Sequence, residues 1–311
     1  MNHRDAERRR EKKYLVRDNN DSLVTIYLVV VNYNSAHLIE RLIQSCLQDF
    51  ELFSQFIIVN NSPEDRAVEQ LRAEKVSILE TGQNLGFGNG CNVGLNWVWE
   101  RDRKAIVWLI NPDTVLEENI LEKVNEFFSQ YRKISILGTT IYTPDRKIWF
   151  AGGKYIPSRG AIVEENLLAN LGQKPYVHCD WVSGCSLLVN LEKFSVCPQF
   201  DPEYFLYYED FDFCQRYRQA GHQIAISDRI AIVHYPSSIT NRNIGKKIEH
   251  STYSYLLTLQ KYAPLPIFLF RFLRLLIYSL ILLPIKPKIS LGKFAGVARY
   301  WQRQGKKFAC F

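Results

Sequence analysis

An α/β fold, with a mostly parallel sheet and helices on both faces, is predicted by three observations. Apolar runs rich in β-branched residues recur at 25–31 (TIYLVVV), 56–59, 76–79 and 105–110 (AIVWLI). They are apolar throughout rather than alternating, as strands buried on both faces must be. Segments of helical spacing separate most of them, and polar clusters close three of the four. Alternation of this kind builds a parallel sheet whose ligands bind beyond the carboxyl ends of its strands.

The elements follow in order. The first 22 residues are polar and charged (Arg8-Arg9-Arg10-Glu11-Lys12-Lys13), lack the apolar core of a secretory signal, and are expected to form a disordered basic arm. The first strand ends at Asn32-Tyr33-Asn34, and 36–50 carries Leu38, Leu42, Ile43 and Cys46 at helical spacing. The second stops at Asn60-Asn61-Ser62-Pro63, after which a helix is predicted over 64–75. After the third strand comes 82–94 (GQNLGFGNGCNVG), whose glycines permit close backbone approach and whose amides can meet phosphate oxygens where a helix to Trp99 begins. It lacks the closing Gly-Lys-Ser/Thr of a P-loop and does not follow the first strand as a dinucleotide fingerprint does. The fourth strand ends at Asn111-Pro112-Asp113-Thr114, with a helix predicted over 117–131.

Farther on, Glu209, Asp210 and Asp212 open a helix that runs to Ala220 and is closed by Gly221, and the next strand returns His234. Acids at a helix start are often dipole compensation, worth about 0.3–1 kcal/mol when exposed. Here they join three polar clusters expected at one edge of the sheet, and the whole reads as an active site.

Composition limits the class. With 311 residues, 47% hydrophobic and 23% charged, the chain can bury one large core plus an appendage. Its seven cysteines are scattered without a C-x-x-C pair, which argues against a disulfide framework or a zinc site and favours a reducing cytosol. The net charge of +7 comes with no nucleic-acid recognition motif, so no nucleic-acid partner is expected. A main domain is expected over 23–239 and a helical, basic region over 240–311. Within it, 264–285 (PLPIFLFRFLRLLIYSLILLPI) has the length to span a bilayer. Arg271 and Arg274 inside it would cost about 5–7 kcal/mol at a helix centre, so spanning is not favoured. From 286 to 311 there are seven Lys or Arg and no acids, a pattern suited to anionic lipid. A peripheral enzyme on the inner face of the plasma membrane is expected.

Taken in order, VVVNYN, IIVNNSPED, GQNLGFGNGCNVG, WLINPDT, WVSGCSLLV and FLYYEDFDFCQRYRQAG followed by IVHY resemble the family 2 glycosyltransferases of GT-A fold, in particular a rhamnosyltransferase-like branch, over about 24–238. The resemblance implies inverting transfer of a sugar from a nucleoside-diphosphate donor to a hydroxyl, with Mn²⁺ or Mg²⁺. It implies dTDP-L-rhamnose as donor and a glycan or polyprenyl-linked glycan as acceptor, in cell-surface polysaccharide synthesis. On it, Asp113 stands at the last acid of the D-x-D motif and is a metal ligand, Asn111 replaces the first acid, and His234 closes the metal site. Asp210 is the implied base, with Glu209 either binding acceptor or serving as base itself. Trp181, Ser183 and Gly184 fall between donor and acceptor. Asn32, Tyr33 and Asn60, with Asn84, Gly86 and Phe87, line the base and ribose pocket. Asn60 stands where many relatives carry aspartate; it keeps a carbonyl acceptor for a base N–H but loses the charge. Two other readings are a non-catalytic nucleotide-sugar or glycan binder and a sugar-phosphate nucleotidyltransferase. The latter is disfavoured because no basic G-x-G-x-R loop follows the first strand.

Overall fold

A computed structural model describes residues 24–46, 52–236 and 243–308. The expected basic arm lies outside the described residues, as do part of the polar loop after Ser238 and Cys310.

The chain runs β1 (Ile26–Asn32), α1 (Ala36–Cys46), β2 (Gln55–Asn60), β3 (Val76–Glu80), α2 (Phe87–Trp99), β4 (Ile106–Ile110), β5 (Thr114–Leu116) and α3 (Ile120–Gln130). Then come β6 (Ile134–Tyr142), β7 (Ile148–Phe150), β8 (Gly153–Ile156), β9 (Ala161–Glu164), β10 (Val177–His178), β11 (Ser186–Asn190), α4 (Glu209–Gln219) and β12 (Gln223–His234). Three helices follow: α5 (Ile244–Tyr262), α6 (Leu265–Leu282) and α7 (Pro287–Phe308).

The main sheet has the order β10-β12-β6-β11-β4-β1-β2-β3, with β5 on β12 and β7 on β6. From β4 to β3 the neighbours are parallel, as the apolar runs require. Beyond β4 the sheet turns mixed, because β11 runs antiparallel to both β4 and β6. The chain therefore leaves β1 toward β2 on one side and meets β4 on the other, and the crevice above this switch lies past Asn32 and Ile110.

Packing explains one feature that sequence pattern alone misreads and one that it leaves open. The predicted helix at 64–75 is a short 3₁₀ turn, Arg66–Leu71, in which Val68 is the buried residue. It has no apolar stripe to hold a longer helix on the sheet. In the glycine-rich segment, Gly90 and Gly94 press against Val31 and Val29 of β1, where a β-carbon would meet side-chain atoms at 2.9 and 2.4 Å. These two glycines let α2 lie close on the sheet.

The C-terminal helices form a separate small core around Tyr204, Tyr253, Leu256, Leu257 and Tyr300. Gly292 and Gly296, one turn apart on α7, lie against the backbone carbonyls of Gly245 and Glu249 on α5, so the two helices approach closely. Arg303 pairs with Glu203, and Arg299 donates to His250 at 2.9 Å. Two of the basic residues expected to face lipid are thus spent on internal ties. The helix α6 differs from the rest: Leu269, Leu273, Ile277 and Leu280 are all at least half exposed.

Candidate active site

The strand ends supply one wall of a cleft of about 1440 Å³, lined among others by Tyr33, Asn84, Gly86, Phe87, Asn111 and Asp113. That exceeds the roughly 300–1,000 Å³ of a single small-molecule pocket and leaves room for two substrates.

Local structure fixes Asp113. In the turn after β4, Thr114 Oγ1 donates to Asn111 O at 2.7 Å, and Asn111 N donates to Cys185 O at 2.9 Å. The short strand β5 then pairs antiparallel with β12, setting Thr114 opposite His234. Register therefore brings two distant residues together: His234 Nε2 stands 3.3 Å from Asp113 Oδ1, both side chains almost fully buried. Trp149, which sequence reading did not single out, lines the cleft and packs edge-on against His234 at 4.7 Å. One carboxylate and one imidazole are a donor set that fits a divalent cation, and Asp113 and His234 would be the residues to hold it. Among the described residues no cluster of three or more His, Cys, Asp or Glu offers a fuller cage.

Opposite this pair is the start of α4. Tyr207 and Tyr208 both adopt left-handed backbone, with φ of 69° and 67°. Consecutive non-glycine residues in that region store strain of order 1–3 kcal/mol each, a feature that collects at functional sites. Gly86 helps hold the loop: its φ is 84°, and a β-carbon there would sit 2.2 Å from Phe205 O. Phe87 N donates to the same carbonyl at 3.1 Å.

The two adjacent acids then part company. Asp210 accepts from Gly184 N at 2.9 Å through Oδ2 and from Phe211 N at 2.8 Å through Oδ1, and it remains partly exposed in the cleft. Desolvation raises its pKa, and the backbone bonds oppose that rise. Glu209 turns inward, 5% exposed, with no partner for Oε2 among the described residues. Burial, with the Asp210 charge beside it, pushes its carboxyl up to about 8. Asp212 is wholly buried and serves structure: it takes Arg216 Nε at 2.7 Å, Lys261 Nζ at 2.8 Å and Tyr262 Oη at 2.8 Å.

The segment Ser183–Gly184–Cys185 joins the two sides. Its carbonyl at Cys185 holds the Asn111 turn while its amide at Gly184 holds Asp210, and burial, followed by the charges of Asp113 and Asp210, raises the Cys185 thiol. Ser183 and Gly184 line the cleft as expected. Trp181 touches it too, but only at an edge, being 7% exposed and packed against Phe150 and Phe211. Most of its surface is therefore given to the core, with the remainder at the cleft.

Asn32 and Asn60 are buried and are not among the residues lining the cleft. Parallel register sets Asn32, Asn60 and Glu80 in one row. Asn60 Oδ1 accepts from Asn32 Nδ2 at 2.9 Å and Ser62 N at 3.1 Å, while its Nδ2 donates to both Glu80 oxygens at 3.0 Å. A backbone amide on one side and a carboxylate on the other fix the amide's orientation, and both lone pairs of its oxygen are used. The neighbouring Asn61 lines the cleft instead, and its Nδ2 donates to Gly86 O at 2.8 Å.

Comparison with known proteins agrees with this geometry. Residues 27–179 match the family model Glycosyl transferase family 2. The chain is 24% identical over 258 residues to the N-acetylglucosaminyl-diphospho-decaprenol L-rhamnosyltransferase of Mycobacterium tuberculosis, covering 74% of this chain and 83% of that one. To the rhamnosyltransferase WbbL of Escherichia coli K12 it is 24% identical over 223 residues, covering 68% and 83%. In fold it is similar to a crystal structure of S. aureus TarS 1-349, with a TM-score of 0.50 and 15% identity. That likeness covers 76% of this chain and 65% of the TarS chain, and speaks to fold alone. By its motifs, its sheet and these relatives, the chain belongs to the family 2 glycosyltransferases, is rhamnosyltransferase-like, and is built on the GT-A fold.

Proposed function

We propose that the cleft transfers a sugar, with inversion, from a nucleoside-diphosphate donor to a hydroxyl of a glycan carried on a lipid. The observation that carries this reading is the Ser183–Cys185 segment, which links the Asp113 turn to Asp210 by hydrogen bonds on both sides. A single rigid strap can thereby set the leaving-group side against the base side, as in-line displacement needs.

In this reading Asp210 takes the acceptor proton as the acceptor oxygen bonds to the anomeric carbon and the bond to the diphosphate breaks. Two backbone amides aim its oxygens, and its partial exposure lets an acceptor reach it. Asp113 and His234 would hold a divalent cation, which when bound supplies positive charge to the departing diphosphate. Asn84, Gly86, Phe87 and Tyr33 border the donor. Glu209 lines the cleft as well but is the weaker candidate for base, since it is only 5% exposed. The donor favoured is dTDP-L-rhamnose, by analogy with relatives such as the protein described as dTDP-rhamnosyl transferase RfbF from Shigella flexneri.

The same reading places the enzyme on the cytoplasmic membrane surface. The helix α6 is the one helix among the described residues long and apolar enough to cross a membrane. At about 100° per residue, Leu269, Leu273, Ile277 and Leu280 share one face, while Arg271, Arg274, Leu275 and Tyr278 share the opposite one. That second face lines the cleft. Arg271 thus turns away from the leucine face and Arg274 sits at its border beside exposed Phe270 and Ile281, and α6 suits lying in the interface with its leucine face down.

The test is nucleotide release from UDP-, GDP- and dTDP-sugars with Mn²⁺ or Mg²⁺, with membrane extract as acceptor source. Turnover of one donor is expected, reduced about 10²–10⁴-fold in Asp210→Asn, the usual range for loss of a general base. Full activity in that variant would sink the assignment of Asp210.

A further inference from the structure

The cleft does not end at the sheet. Its far end is built by the C-terminal helices, where Lys246, Arg271, Arg274 and Lys293 line it. The hairpin of β8 and β9 bridges the two ends. At its turn, Arg159 O accepts from Arg271 Nε and Nη2 at 3.1 and 2.8 Å. At its close, Glu164 lies near enough to Asp210 for that charge to help raise its carboxyl, after burial. The cationic wall therefore stands beyond Asp210 on the side away from the strand ends that border the donor. It is not neutralised from within. Glu249 pairs with Lys246 at 2.9 Å, and Glu164 is the other carboxylate of this end. Neither makes an ion pair with Arg274 or Lys293 among the described residues, and Lys293 lies half-buried against the Tyr278 ring. The wall also adjoins the apolar face of α6. Charge for an anion and an exposed apolar strip for a chain meet on one helix.

We propose that Arg271, Arg274 and Lys293 bind the diphosphate of an isoprenoid-linked acceptor whose hydrocarbon runs along the exposed face of α6. This deepens the transfer reading by naming the residues that would hold the acceptor's anchoring group, and rests on that reading for the word acceptor. Guanidinium forks suit a diphosphate because they can bind its oxygens in pairs. Burial pushes the Lys293 ammonium down, so an anion beside it would restore what it loses by leaving water.

The experiment measures binding of farnesyl diphosphate to the full chain in neutral phosphatidylcholine vesicles, with farnesol and inorganic pyrophosphate as controls. Farnesyl diphosphate should bind more tightly than either control. Arg274→Gln combined with Lys293→Gln should weaken it at least roughly tenfold, the scale of one lost charge-assisted contact. Nucleoside-diphosphate binding and thermal unfolding should stay unchanged, and Arg274→Lys should recover part of the loss. Equal binding by the double variant would overturn the proposal. So would farnesol binding as tightly as the diphosphate, pyrophosphate matching it (a site for free phosphate), or displacement by anionic vesicles (a headgroup surface). If no nucleotide sugar is turned over yet farnesyl diphosphate binds as described, the transfer reading fails and the site stands.

Discussion

The sheet region and the three C-terminal helices position their functional groups by opposite means. At the sheet, backbone does the placing: Asp113 is fixed by a turn and a strand register, and Asp210 by two amides. On the helices, the cleft-facing groups are long side chains from α5, α6 and α7, with a backbone tie at Arg159. Reacting atoms need placement within a fraction of an ångström, which rigid backbone provides. A charged anchor for a substrate tolerates more freedom, which long cationic side chains supply. The difference suggests a division between chemistry and acceptor capture, and it depends on the two regions being held together.

Asp212 is where that hold is concentrated, and it offers the strongest way to break the comparison. From α4 it binds Lys261 and Tyr262 of α5 while pairing with Arg216 on its own helix, at 0% exposure. Removing one partner of a buried ion pair costs about 3–5 kcal/mol, because the other charge is left uncompensated. Asp212→Asn is therefore expected to lower stability on that scale in denaturant unfolding, with α5 losing hydrogen-exchange protection first. Loosening of the sheet with α5 still protected would show that the regions are joined elsewhere.

Glu209 sharpens the contrast within the site itself. An acid whose folded pKa is raised destabilises the fold once pH exceeds its unfolded value, because the folded state resists ionisation. The loss for Glu209 begins near the ordinary glutamate value of 4.5 and is complete above about 8. Glu209→Gln is thus expected to leave stability unchanged at pH 4 and to raise it at pH 8 by on the order of 2 kcal/mol, the penalty of a buried unpaired group. Thermal melts across that range would check it. A gain independent of pH would mean that Glu209 is not the titrating group.

How much of this was legible beforehand depended on the range over which each feature is decided. The strands β1 to β4 could be read because a continuous apolar run reports its own burial. The acids of α4 and the turn at Asp113 could be found because each is a local motif at an element's end. What could not be read depended on a neighbour far away in sequence. Arg271 and Arg274 looked like obstacles in an apolar stretch until the packing of α6 showed which face they occupy. Which of the two adjacent acids is aimed by a backbone amide, Asp210 rather than the more buried Glu209, depends on where the distant Gly184 lies. Trp149 carried no motif, and it reaches the cleft because β7 pairs with β6.

Asn60 is the smallest effect and the clearest case of a cross-strand decision. Its departure from the aspartate of many relatives has a reason in this fold: its amide lies between a row of donors and the Glu80 carboxylate. With Asn60→Asp, the oxygen that replaces Nδ2 would face Glu80, turning two hydrogen bonds into repulsion between like charges. Glu80 is exposed, so solvent screens the pair and the cost should be modest, about 1 kcal/mol. A double-mutant cycle separates this from lost packing. Asn60→Asp should destabilise at pH 7, recover when combined with Glu80→Gln, and lose most of its cost when pH falls low enough to protonate the carboxylates. If the aspartate costs the same with Glu80 removed, charge at Glu80 does not select asparagine at position 60, and the network with Asn32 and Ser62 would have to account for it alone.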